Sequence, residues 1–223
     1  MYEGPGIIDE SYLEYVKELV KWAARFELYV IIDPHQDVWS RFTGGDGAPW
    51  WTLDAAGLNT DDSSLHDTGA AVLHQFWDAT EYGEMPRMLW TFNYWKLAAA
   101  TMFTLFFAGD DFAPGIVVDS MKLPCSFDDA ITANTTIQQF LQGHYLDYLD
   151  AVATVLKECN NVIGFGAMNE PSSGFIGISN LNDITMPSLH GHVLSTFDGM
   201  RLGGGDSLSV PYFNHYHFSS LLF

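Results

Sequence analysis

The sequence predicts an α/β fold built on a parallel sheet, and three observations predict it. Two short apolar runs, Leu28 to Asp33 and Val162 to Met168, read as strands that do not alternate in polarity. Helical patterning precedes the first run and recurs in the long interval before the second. Each run ends in a polar cluster able to carry chemistry. An apolar strand without alternation is expected where both faces of a parallel sheet are covered. Strand, helical crossover, strand is the grammar of a βαβ unit. Ligands of such folds sit at the carboxyl ends of the strands. The clusters Asp33-Pro34-His35-Gln36-Asp37 and Asn169-Glu170-Pro171 are therefore expected to face one pocket.

The elements follow in order. Asp9 is suited to cap a helix, and Leu13, Val16, Val20 and Ala23 recur at helical spacing, which predicts a helix from about Glu10 to Phe26. The first strand comes next. From Trp39 to Ser64 the chain is rich in Gly, Asp and Trp without a period and reads as a long irregular loop. Helices are expected over about Thr68 to Trp77 and, after Pro86, over Met88 to Ala108. Asp110 to Thr132 reads as irregular. Ile137, Phe140, Leu141, Tyr145, Tyr148, Leu149, Val152, Val155 and Leu156 form the cleanest helical stripe. The second strand follows it. Beyond Ser172 the pattern weakens, with a glycine-rich loop at Leu202 to Asp206 and a short strand expected over Phe213 to Phe218.

Composition narrows the partners. Hydrophobic residues make up 48% of the 223 and charged residues 17%, which is core-forming. One domain over 1–223 accounts for this length. The net charge of −19 repels phosphate backbones and anionic bilayers, so nucleic acid and membrane surfaces are poor partners. The longest uncharged apolar run, Leu97 to Gly109, is shorter than the roughly 20 residues of a spanning helix and reads as buried core. Two cysteines, Cys125 and Cys159, make neither a disulfide framework nor a metal motif. Met1 to Pro5 lacks the basic start and apolar run of a leader, and the chain reads as a soluble, cytoplasmic protein.

The chemistry-bearing residues concentrate at the two strand exits. A carboxyl at the rim of an apolar sheet is expected to be partly desolvated, which keeps it protonated as a general acid requires. Glu170 sits at such a place, beside Asn169, whose amide suits a sugar 2-hydroxyl. The same Glu is equally a loop residue before a proline. Asp33, His35 and Asp37 admit three readings: a clamp on sugar hydroxyls, a metal site, or turn chemistry. Trp39, Trp50, Trp51, Trp77, Trp90 and Trp95 are a local excess, mostly core, with one or two suited to stack on a sugar face. His215 and His217 read as ordinary structural or surface residues.

Several long motifs then occur in one order: Asp33-Pro-His-Gln-Asp-Val-Trp-Ser-Arg-Phe42, Gly44-Gly-Asp-Gly-Ala-Pro49, Asn93-Tyr-Trp-Lys-Leu-Ala-Ala-Ala-Thr-Met-Phe-Thr-Leu-Phe-Phe-Ala-Gly109, and Met168-Asn-Glu-Pro-Ser172. Together they resemble the endoglycoceramidase-related branch of glycoside hydrolase family five, and within it the intracellular fungal-type glucosylceramidases and steryl-β-glucosidases. The resemblance runs from about Ile7 to Gly177. It implies a (β/α)8 TIM barrel, a retaining mechanism without cofactor or metal, and a glycolipid substrate, glucosylceramide or a steryl glucoside. It matches Glu170 to the acid/base, Asn169 to the asparagine beside it, His35 and Asp37 to glucose-hydroxyl contacts, and Trp95 to an aromatic residue near the sugar. Asp33 matches less closely, in a supporting role.

The sequence departs from that pattern in one way that matters. The family's nucleophile is a glutamate on a late strand, and no Glu follows Glu170; the later acids are Asp183, Asp198 and Asp206. A retaining enzyme needs two carboxyls about 5 Å apart. The expectation is an incomplete barrel holding roughly the third and fourth strands, with the first and late strands missing and no turnover by the chain alone. The alternative is a non-catalytic sugar- or lipid-binding remnant of the same fold.

Overall fold

A computed structural model describes residues 4–40, 43, 45–58, 94, 97–118, 134–184, 191–192 and 195–213. Helix α1 spans Glu10–Ala24 and is capped as the sequence predicts, the Asp9 carboxylate accepting from the Tyr12 N–H at 3.1 Å. That acceptor satisfies one of the N-terminal donors that no helix can pair internally. Strand β1, Val30–Ile32, follows directly. Helix α2 (Trp51–Ala55) and helix α3 (Leu97–Phe112) come next, then helix α4 (Ile137–Leu156) and strand β2 (Val162–Phe165). Beyond them lie β3 (Gly191–His192), helix α5 (Thr196–Gly203) and β4 (Tyr212–Phe213).

β1 and β2 pair in parallel, Ile31 opposite Gly164 and Ile32 opposite Phe165, as the βαβ reading requires. β3 and β4 pair antiparallel. Both strands are shorter than the apolar runs that announced them: β1 leaves out Leu28, Tyr29 and Asp33, and β2 leaves out the residues from Gly166 to Met168. Asn161 joins the start of the sheet: its amide donates to the carbonyls of Val20 and Leu28, and its own carbonyl accepts from the Val30 N–H at 2.8 Å. One core lies where α1 and α4 cover the same face of the sheet, through Leu13, Val20, Val152, Leu156, Val30, Ile32 and Val162.

The second core is built on α3. Ala98, Ala99, Met102 and Phe103 are fully buried, as the uncharged run predicted. They pack with Trp39, Trp51, Leu53, Ile137, Phe140 and Leu141. α3 bends at Ala108, where the backbone leaves helical angles. Two side chains of α4 serve the groups this frees: Gln142 donates to the Phe106 carbonyl at 2.6 Å, and Gln138 accepts from the Asp110 N–H at 2.9 Å. α4 itself starts in a capping box of Thr136 and Gln139, and α5 in one of Ser195 and Asp198.

Several expectations change. The stretch after Trp39 is not wholly irregular: it folds into bridges pairing Asp37 with Asp46 and Ser40 with Ala48, then into α2. Turn hydrogen bonds among small polar residues, invisible to hydrophobic periodicity, order it. The third predicted helix continues four residues beyond Ala108. The expected helix at 68–77, the segment before 94, Trp77, Trp90, Trp95, Cys125, His215 and His217 lie outside the described residues.

Among the described residues, the sheet is covered on one face only. Ile31 and Ile163 are more than 60% exposed, and Phe165 is exposed with them. The reason is that α1 and α4 occupy one face and no described element occupies the other. α1 carries a second apolar row, Tyr12, Tyr15, Leu19 and Trp22 at three- and four-residue spacing, all exposed. Exposed apolar rows of this kind drive association, and among the described residues the sheet has two strands with unpaired outer edges. Expressed by itself, the chain is expected to self-associate and bind a hydrophobic dye; a monodisperse monomer by light scattering with no dye response would contradict this. No described helix is long and apolar enough to cross a membrane.

His144 gives a pH-dependent term. Its ring lies edge-on to Phe140 and Trp51, at 4.6 and 5.6 Å between centroids. Burial lowers its pKa, and the Asp147 carboxylate at 3.8 Å opposes that shift. The folded state therefore binds fewer protons than the unfolded one below about pH 6.5. This contribution is full above that pH and is lost as pH falls toward the lowered folded value. Thermal melts between pH 8 and 5 are expected to show a steeper acid loss for the parent than for His144→Phe; parallel curves would rule the term out.

Candidate functional site

The two strand exits meet. The Gly166 N–H donates to the Ile32 carbonyl at 2.8 Å, and the Asn169 N–H to the Pro34 carbonyl at 3.0 Å, so the sheet pairing continues into the loops. Gly166 leaves room for the Asp33 carboxylate: a Cβ on it would lie 2.1 Å from Asp33 Oδ1, and the Asp33 side chain would have to shift. Asp33 thus packs over the β2 backbone. Its charge, after burial as the larger cause, also raises the pKa of Tyr145, whose hydroxyl donates to the Ala167 carbonyl.

Gln36 is the hub between the exits. Its Nε2 donates to the carbonyls of Asn169 at 2.6 Å and Glu170 at 3.2 Å. Its Oε1 accepts from the Trp39 N–H at 2.9 Å, and its backbone carbonyl accepts from Asn169 Nδ2 at 3.1 Å. Beyond it, Val38 and Trp39 have φ of 46° and 80°, a left-handed pair that reverses the chain. The reversal sets Asp37 against Asp46 through reciprocal backbone hydrogen bonds of 3.1 and 3.0 Å. Gly45 and Gly47 permit that approach, since a Cβ on Gly45 would meet the Asp37 carbonyl at 1.8 Å.

His35 Nε2 lies 3.1 Å from Asp37 Oδ2. One ligand-capable atom each from His35, Asp37 and Asp46 falls within a 4.8 Å set. The cluster thus gains Asp46, which lies in the glycine-rich motif Gly44 to Pro49. Its chemistry suits either polyhydroxyl binding or a cation. Tyr94 stands nearby. Burial raises the pKa of its hydroxyl, the Val38 backbone and Gln36 side chain oppose that, and the carboxylates of Asp37 and Glu170 add to it.

Glu170 leaves β2 with φ of 35° and is exposed. The expected partial desolvation is not supplied by the described residues. Its neighbour Asn169 is half-buried. The backbone segments that carry His35 and Asp37 and those that carry Asn169 and Glu170 are therefore laced together, Asp33 is placed at the strand junction, and Trp95 lies outside the described residues. The later acids are engaged elsewhere: Asp183 with Asn180, Asp198 in the α5 cap, and Asp206 with Arg201. Gln36 and Tyr94 were not singled out as site residues. The available signal for Gln36 was an amide flanked by two predicted ligands at a strand exit.

Residues 1–93 match the cellulase (glycosyl hydrolase family 5) family. The chain is 41% identical over 206 residues to a glucosylceramidase of Rhizopus delemar, covering 92% of this chain and 28% of that protein. It is 34% identical to an ergosteryl-beta-glucosidase of Saccharomyces cerevisiae, over 97% of this chain and 29% of that protein. The crystal structure of Cryptococcus neoformans sterylglucosidase 1 with tris superposes on 95% of this chain and 28% of its own, with a TM-score of 0.78 at 36% identity. The chain thus spans a little over a quarter of the length of these relatives. The α/β architecture is part of the (β/α)8 barrel that this family implies. By sequence and by fold, this chain is similar to fungal glucosylceramidases and steryl glucosidases over a little over a quarter of their length, and its first 93 residues match glycosyl hydrolase family 5.

Proposed function

We propose that this chain carries the acid/base half of a retaining β-glucosidase acting on glucosylated lipids, glucosylceramide or a steryl β-glucoside. β1 and β2 serve as the third and fourth strands of its barrel. The observation that supports the reading is the lacing of the two strand exits through Gln36, which ties the segment of Asn169 and Glu170 to the segment that carries His35 and Asp37. Glu170 gives its proton to the glycosidic oxygen while a carboxylate from outside these 223 residues attacks the anomeric carbon. The aglycone leaves as an alcohol. Glu170, now ionised, takes a proton from water, which displaces the nucleophile and releases glucose. Asn169, His35 and Asp37 hold sugar hydroxyls. We read the His35, Asp37 and Asp46 cluster as a hydroxyl clamp; stoichiometric metal in the purified protein would overturn that assignment. The cytoplasm is the proposed compartment, in keeping with two cysteines and no disulfide framework.

The test is to exchange this chain for the matching 206-residue segment of the Rhizopus delemar glucosylceramidase and assay glucosylceramide and a chromogenic β-glucoside. Turnover is expected in this completed barrel and not in the 223 residues alone. A folded but inactive completed barrel would sink the reading. The engagement of all three later acids also favours a second reading for the chain by itself, a binding remnant. Calorimetry showing glycolipid binding without hydrolysis by the completed barrel would favour it.

A further inference from the structure

We propose that Gln36 is a positioning residue that fixes the direction in which Glu170 presents its carboxyl; this rests on the acid/base reading of Glu170. Gln36 is 7% exposed, and its side chain makes three hydrogen bonds to main-chain groups. Two donors go to two successive carbonyls, those of Asn169 and Glu170, and the acceptor takes the Trp39 N–H. Only a primary amide supplies two donors and an acceptor in that arrangement. A carboxylate of the same shape would set oxygen against two carbonyl oxygens, and an aliphatic chain would leave the Trp39 N–H without this acceptor.

Two features show why the clamp matters. Glu170 holds φ of 35°, a left-handed conformation that a residue with a Cβ rarely adopts unless its surroundings impose it. Gln36 grips the carbonyls on both sides of that residue's φ and ψ bonds, so it acts on the dihedrals that aim the side chain. Gln36 is itself confined: a Cβ on Gly47 would approach its Cβ to 2.5 Å, and Val38 and Trp39 follow it in left-handed conformations. The amide is thus pinned from the β1 side and transmits that position to β2. Gln36 touches no reacting atom in this scheme; it acts through Glu170.

The first arm of the test uses the 223-residue chain. Gln36→Leu is expected to speed amide exchange at Trp39 at least about tenfold while melting as a folded protein; unchanged exchange would mean the clamp does not exist. The second arm uses the completed barrel. Gln36→Leu and Gln36→Glu are expected to lower kcat/KM on an alkyl β-glucoside by about tenfold to a hundredfold, part of what a general acid contributes. On 2,4-dinitrophenyl β-glucoside, whose aglycone leaves without protonation, the loss is expected to stay within about threefold. Equal losses on both substrates would make Gln36 merely structural and overturn the role. An inactive parent barrel would instead sink the glucosidase reading, and the positioning role with it, whatever the exchange arm shows.

Discussion

Replacing Glu170 by glutamine in the completed barrel is expected to lower kcat/KM on an alkyl β-glucoside by about 10²- to 10⁴-fold, the usual worth of a positioned proton donor. Glutamine keeps the shape and the φ of 35° but cannot give up a proton. On a dinitrophenyl glucoside the first step should persist, and the glucosyl-enzyme should accumulate for want of a base. Azide should then release it, attacking the anomeric carbon and freeing the nucleophilic carboxylate, with β-glucosyl azide as product. A variant that keeps its rate on the alkyl substrate, or a product that azide never enters, would move the acid/base role elsewhere. The same experiment separates Glu170 from its support. Loss of Gln36 should slow the alkyl substrate without making azide necessary, because the carboxyl is still there and only its aim is poorer.

How much of this was legible from the residues depends on which forces set each part. The α1 and α4 stripes and the two apolar runs fix βαβ order, because periodicity records which face meets a core. Asp9 at the head of α1 was legible for the same local reason: a cap is made by residues three apart. The exits of β1 and β2 were legible as chemistry because polar clusters follow apolar strands. The link between them was not. Gln36 and Glu170 are 134 positions apart, and an amide that bonds carbonyls leaves no periodic trace. The folding of the segment after Trp39 was hidden likewise, since Thr43, Ser40 and the Asp37–Asp46 pair order it through short-range polar bonds. The second face of the sheet is a different case. Ile31 and Ile163 are apolar for what would cover them, and no described element does so.

Phe103→Ala is expected to be the most destabilising substitution in the α3 core, by about 3–5 kcal/mol, the range for removing a buried aromatic ring. Phe103 is 0% exposed. Its ring meets Trp39 edge-on at 5.4 Å and Tyr94 at 5.8 Å. Those neighbours cannot close the gap easily. Trp39 is held by its Nε1 on Thr52 Oγ1 at 3.0 Å and by its backbone N–H on Gln36, and its own φ is left-handed. A cavity that cannot collapse costs more than the transfer of the missing atoms alone. Phe112, at the end of the same helix and mostly exposed, supplies the control, and Phe112→Ala should stay within about 0.5 kcal/mol. Urea denaturation at low protein concentration reads both, as a shift of midpoint at constant slope. Should the two variants lose stability equally, α3 would be held by helix propensity rather than by the packing of Phe103. The wall that positions Trp39, and through it Gln36, would then have to lie elsewhere.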